Sequence, residues 1–245
     1  MLRDMRLEGL GILIVLVVIA VVIAAIVYSS KAAKKRREAL AALAAELGWR
    51  FDPGRDTHHD DEYAHFEVFR KGHSRAAFNT LAGSLEIAGA EYPVKMGDFT
   101  YKVTQHTGKS TSTHTYHFSY VILHLPYVGV PDLLIRREGL FDKIAAAIGF
   151  DDIDFESAEF SRRFLVKSPD KRFAYDIIHP RMMEFLLEAK PPGIDIERDR
   201  CCLMDGHKRW SPDEFRRAVE WAQTFFALWP EHVTTQLRER AGESV

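Results

Sequence analysis

The sequence predicts an α+β protein: a single N-terminal transmembrane helix, then a soluble domain with an antiparallel β-rich half and a mixed α/β half closed by a C-terminal amphipathic helix. Three observations predict it. Residues 9–28 hold no charge, amide or proline, and at about 1.5 Å per residue a helix of that length spans roughly 30 Å, the thickness of a bilayer's hydrocarbon. Residues 63–136 contain short alternating runs between polar turns, as in an antiparallel sheet or a small barrel. Residues 211–229 open on Ser-Pro-Asp-Glu and repeat Phe215, Ala218, Val219, Ala222, Phe225, Phe226 and Trp229 at three- and four-residue steps, a capped helix with a wide apolar stripe.

The chain divides into a short flank (1–8), the transmembrane helix (9–28), a basic juxtamembrane helix (29–48), a β-rich region (49–136) and an α/β region sharing its core (137–245). The apolar run exceeds the core of about 7–15 residues found in signal peptides and ends without an Ala-x-Ala step, so an anchor is expected rather than a cleaved leader. Lys31, Lys34, Lys35, Arg36 and Arg37 follow it, whereas Arg3 and Arg6 are offset by Asp4 and Glu8. Cations are retained on the cytoplasmic side, so the expected location is the plasma (inner) membrane, single-pass, with the large domain in the cytoplasm. Adjacent Cys201 and Cys202 form no disulfide framework, which suits a reducing compartment. With residues 1–8 neutral and 31–37 at +5, the net charge of −2 leaves −7 on residues 38–245. Expected partners are therefore the bilayer through residues 9–28, anionic headgroups at the basic collar and a further protein, but not nucleic acid, which takes a basic face.

Leu40, Leu43 and Leu47 share one face of the juxtamembrane helix, and Asp52-Pro53-Gly54 reads as a turn. Residues 55–62, with His58, His59, Asp60, Asp61 and Glu62, read as a solvated connector, because their spacing matches no zinc or calcium site. Strands are expected over 63–69, 78–81, 85–88, 92–104, 114–125 and 132–136, with turns at 82–84 and 89–91 and a connector at 105–113. Gly108-Lys109-Ser110-Thr111 resembles the end of a phosphate-binding loop, but position 103 is Val and a Thr-rich strand follows instead of a helix, so it is read as a hairpin. Alternation puts His114, Tyr116, Phe118, Tyr120, Ile122 and His124 on one face and His117 on the other. His106 could meet His117 across the hairpin. Further on, helices are expected over 139–148, 157–163, 170–178 and 181–189, strands at 152–155 and 164–168, and a hairpin over 194–204. The tail from Thr234 is expected to fray.

The run from Phe155 to Ser168, including Glu159-Phe160 and Phe164-Leu165-Val166-Lys167-Ser168, together with Tyr175 and residues 181–187, resembles a bacterial family of membrane-anchored proteins known only as a domain of unknown function. Phe78-Asn79-Thr80-Leu81-Ala82-Gly83 and Gly97-Asp98-Phe99-Thr100-Tyr101 extend the resemblance over about residues 63–205. It implies a bacterial source and an anchored architecture, and it brings no reaction, cofactor or catalytic residue.

No catalytic, cofactor or metal motif emerges, so the expected role is a membrane-tethered, non-catalytic interaction, sensing or scaffolding module. One alternative is a membrane-bound hydrolase using histidine or a metal, with His106, His114 and His117 at the hairpin and His58 with His59 in the acidic loop as its candidates. A further alternative is a small barrel that binds lipid headgroups and is closed by the C-terminal helix; the charge of −7 opposes it.

Overall fold

Helix α1 (Leu2–Leu47) runs unbroken from the apolar segment through the basic collar and onto the domain. The structure, a computed structural model, describes residues 2–108, 110–137, 151–189 and 191–243. The apolar stretch has a mean hydropathy of 2.2 over its best window, and none of that window is buried. Such a helix is long and apolar enough to cross a membrane. Its last turns behave differently, because Leu40, Leu43 and Ala44 are buried in the domain's main core.

The remaining elements build one open sheet. In chain order they are β1 (Arg50–Asp56), α2 (His59–Glu62), α3 (Glu67–Arg70), β2 (His73–Ile87), β3 (Ala90–Thr107), β4 (Ser110–His124) and β5 (Leu133–Arg137). Then follow α4 (Ala158–Arg163), β6 (Phe164–Lys167), α5 (Lys171–Ile177), α6 (Pro180–Ala189), β7 (Gly193–Glu197), β8 (Arg200–Met204), α7 (Pro212–Ala227) and α8 (Glu231–Glu243). The eight strands lie in the order β1-β2-β3-β4-β8-β7-β5-β6, each pairing antiparallel. The α+β class follows, with β1 and β6 as edges. Among the described residues β1 and β6 do not pair, so these strands do not close into the barrel entertained from the sequence.

Several elements depart from expectation for identifiable reasons. Gly83 does not turn the chain but lies mid-strand in β2, where a Cβ would collide with the indole of Trp49; the expected turn is a packing site. Asp52-Pro53-Gly54 is a bulge inside β1, with the Asp52 carboxylate accepting the Gly54 N–H at 2.7 Å. Residues 63–69 are not a strand. They belong to the α2–α3 segment, whose His59, Tyr63, Phe66 and Phe69 recur at four- and three-residue steps and are all buried.

The connector at 105–113 is mostly strand, pairing out to Thr107↔Ser110, with a Thr104–Thr113 hydroxyl bond of 2.9 Å across it. β-branched threonines favour that geometry. Among the described residues, 152–155 make one bridge, Asp152↔Lys167, and no strand. The tail forms α8, pinned by buried Val233 and Leu237. Ser157, Asp170 and Ser211 cap α4, α5 and α7 through their side chains, and Ser211 forms a full capping box with Glu214. The helix expected over 139–148 lies outside the described residues.

Each face of the sheet has its own core. One face carries α1's leucines, Val94, Met96, Val121 and Leu123, packed against the helices of the second half. The other carries a smaller aromatic core of Tyr63, Phe66, Phe69, Phe99, Tyr101, Phe118 and Tyr120 under α2 and α3.

Candidate functional site

The tether meets the sheet at Asp98. Its neighbour Gly97 lets β2 approach closely, since a Cβ there would lie 3.0 Å from the Asn79 carbonyl oxygen. The β2–β3 register shifts between Phe78 and Leu81, and Asn79 adopts φ +52°, a left-handed conformation that asparagine tolerates better than most residues. Its amide thereby reaches Asp98. Asp98 Oδ1 accepts from Arg36 Nη2 at 2.6 Å and Ser119 Oγ at 2.9 Å. Oδ2 accepts from Arg36 Nε at 2.7 Å, Asn79 Nδ2 at 3.0 Å and Arg209 Nη2 at 3.1 Å.

Five donors thus serve one fully buried carboxylate. Burial alone would raise its pKa, but hydrogen bonding from Arg36 and the charges of Arg36 and Arg209 outweigh burial and hold it below the usual range. The Ser119 hydroxyl also accepts the Trp210 N–H at 2.9 Å, while the Ser119 N–H donates to the Lys208 carbonyl at 2.9 Å. These bonds fix the 205–210 loop that presents Arg209.

That loop also forms one wall of a cleft of about 400 Å³ lined by Asp205, Lys208, Trp210, Glu214, Arg217 and Trp221, among others. Trp221 is stacked between Phe185 and Phe225 at 5.4 and 5.2 Å. Lys208 and Glu214 pair at 2.7 Å across the rim. This bond raises the Lys208 pKa and holds Glu214 at about 2. The lining combines these fixed charges with two largely buried indoles, Trp210 and Trp221, and holds no activated nucleophile.

The histidines singled out from the sequence do not converge. His58 is exposed, 3.4 Å from Asp61. His59 is no part of a solvated connector: it is fully buried between Tyr63, Phe69, Phe99 and Tyr120, with centroids 4.7–5.6 Å away. The helical turn of α2 directs it inward, and neither ring nitrogen has a partner. Burial, and then the charge of Lys95, lowers its pKa to about 3.

His106 bonds Thr111 at 2.9 Å, and exposed His114 lies opposite Val103. His117 lies opposite Thr100, so the register separates it from His106. Among the described residues no three histidine, cysteine or acidic side chains group as metal ligands. Of the collar, Lys31, Lys34, Lys35 and Arg37 are exposed, whereas Arg36 is committed to Asp98. The sequence reading missed that role, although a lone acid in the apolar-flanked run Met96-Gly97-Asp98-Phe99 was the available signal.

On the aromatic-core face, Asp195 and Glu197 of β7 form a second polar group with Arg136 of β5. Burial raises both carboxyls, each further raised by acidic neighbours, and the Arg136 charge opposes this at Asp195. Cys201 and Cys202 are buried thiols whose pKa values burial pushes up. They are poorly suited to nucleophilic work.

No protein-family profile matches the chain, and no curated protein matches it. Its fold is similar to the crystal structure of the mycobacterial trehalose monomycolate transport factor A, TtfA, with a TM-score of 0.53 and 14% identity over 81% of this chain and 96% of that one. The likeness is one of fold.

Proposed function

We propose that this chain is a single-pass, non-catalytic membrane module that positions its sheet domain at the cytoplasmic face of a bacterial inner membrane, as an accessory to the transport of a membrane lipid. The observation that carries this reading is the Arg36–Asp98 junction. An anchor that only retained a domain would end in a loose linker, whereas here α1 enters the core and its arginine satisfies a buried carboxylate. Domain orientation is thereby set relative to the bilayer, which an assembly with an integral membrane protein needs. The fold shared with a lipid transport factor supports the lipid-related role, and the five cationic residues at 31–37, set against a neutral N-terminal flank, support the orientation. Exposed Lys31, Lys34, Lys35 and Arg37 suit anionic headgroups. The scattered histidines give a hydrolase reading no support.

The test is affinity purification of the full-length chain from membranes, with the Arg36→Ala variant in parallel. A polytopic lipid transporter should co-purify with the wild type and be depleted with the variant. Purification of the chain alone, together with turnover of a small molecule by the purified protein, would sink the proposal. A reporter active only outside the cytoplasm and fused to the C-terminus should stay silent.

A further inference from the structure

The β3–β4 ribbon leaves the body of the sheet. β2 accompanies β3 only to the pair His73↔Lys102, and β8 accompanies β4 only over Tyr120–His124. Beyond these limits, among the described residues, the two strands pair with each other alone, out to Thr107↔Ser110. Gln105–Gly108 and Ser110–Thr115 are exposed.

Two contacts fix the ribbon's direction relative to α1. Trp49 packs over Gly83, which pairs with Val94, and Arg36 holds Asp98. Moving back along α1 towards the membrane therefore means moving along β3 from Val94 towards the ribbon tip. From Trp49 to Arg36 the chain covers about 20 Å at helical rise, while β3 covers about 13 Å between the matching contacts. The two axes are thus inclined but point the same way. From Asp98 to Thr107 the ribbon extends about 30 Å, or about 20 Å when projected on the helix at that inclination. Tyr28, at the end of the apolar run, lies only about 12 Å beyond Arg36. The ribbon therefore crosses the level of the bilayer surface beside α1.

Its charge suits that surface. Residues 99–118 contain no Asp or Glu; they hold Lys102 and Lys109 among serines, threonines and histidines. This stretch stands out in a soluble part that carries −7. A two-stranded ribbon with hydroxyl and cationic groups can donate hydrogen bonds and charge to phosphate oxygens without inserting. We propose that the β3–β4 ribbon is a second membrane contact, resting on anionic phospholipid headgroups beside the collar, so that α1 and the ribbon hold the domain at two points. This proposal goes beyond the transport reading and stands or falls without it.

The full-length chain is reconstituted in nanodiscs of phosphatidylcholine with or without phosphatidylglycerol, with nitroxide-bearing headgroups as quenchers. A fluorophore is attached through Ser110→Cys at the tip, or through Glu184→Cys on the exposed side of α6 as reference; Cys201 and Cys202 are buried and left in place. The tip label should be quenched severalfold more than the reference in discs containing phosphatidylglycerol. Adding Lys102→Glu and Gln105→Glu, both at exposed ribbon positions, should remove most of that excess. Equal quenching at the two positions would overturn the proposal. So would tip quenching that ignores both phosphatidylglycerol and these charge changes, because the ribbon would then be near the bilayer without being held by it.

Discussion

Asp98 and His59 are both polar and both fully buried, on opposite faces of the same sheet, and the protein treats them oppositely. Asp98 receives five donors drawn from α1, β2, β4 and the 205–210 loop. His59 receives none and is surrounded by rings. A buried charge is tolerated only when paired and hydrogen-bonded, and the pairing at Asp98 joins distant parts of the chain. A histidine can lose its charge instead, so burial at His59 needs no partner and joins nothing. The α1 face is therefore locked by a polar junction, and the α2–α3 face by aromatic packing.

The sharpest way to break the contrast is Asp98→Ala. It strands the Arg36 and Arg209 guanidiniums beside a core and leaves Asn79 without its partner. Removing one member of such a buried pair costs about 3–5 kcal/mol. Chemical denaturation of the full-length chain in detergent should show a loss of that size, and a double-mutant cycle with Arg36→Ala should show strong coupling. Additive single losses would mean that the junction carries little.

The two residues also titrate in different windows. Burial depresses His59 from its ordinary value near 6.5 to about 3 in the folded protein. The unfolded chain then binds more protons than the folded chain at any pH between those values, so stability falls as pH drops from about 6.5 towards 3. Asp98 is also depressed, as an acid below 3.8. Its contribution is complete above that value and is lost as pH falls through the lower folded pKa. His59→Leu should therefore flatten the stability profile between pH 6 and 4 relative to wild type, while Asp98→Asn should leave that slope in place. Parallel slopes for wild type and His59→Leu would refute the neutral, caged histidine.

At neutral pH the two sites should respond with opposite signs to apolar replacement. Leucine at position 59 removes two unpartnered ring nitrogens and keeps similar bulk. An unsatisfied buried polar group costs about 1–3 kcal/mol, so His59→Leu should stabilise by about 1 kcal/mol once imperfect packing is allowed for. The same measurement that shows a large loss at Asp98 should show this smaller gain.

What the sequence made legible follows the same division. The apolar run, the collar, the longer strands and the capping box of α7 rest on local period and capping chemistry, and they are present. The partners of Gly83 and Asp98 were unreadable because they lie 34 and 62 residues away, at Trp49 and Arg36, even though Asp98 itself stood out as a lone acid among apolar neighbours. His59 was hidden for another reason. Its acidic neighbours Asp60, Asp61 and Glu62 suggested solvent, while the helical spacing of His59, Tyr63, Phe66 and Phe69 crosses two short helices and was masked by apparent alternation. Nothing in the spacing of Phe78, Asn79 and Thr80 announced a left-handed asparagine in mid-strand.

A last, smaller effect sharpens the comparison from within the tether. Arg216 of α7 grips Glu46 near the end of α1 at 2.8 and 3.1 Å, a bidentate pair as regular as that of Arg36 with Asp98. It too joins α1 to a distant element, so a view based on geometry alone would rank the two pairs together. Solvent separates them: the Glu46 side chain is 57% exposed, whereas that of Asp98 is 0% exposed. In water both partners of the outer pair recover hydration when separated, and Arg216 keeps a second carboxylate, Asp213, at 2.6 Å. Exposed pairs of this kind contribute little. Glu46→Ala should accordingly leave the thermal midpoint within about 2 °C of wild type, and the small difference should shrink further as salt is raised. A shift as large as that of Asp98→Ala would mean that α1 is held chiefly at its far end, and the buried junction would lose its place as the point that orients the domain.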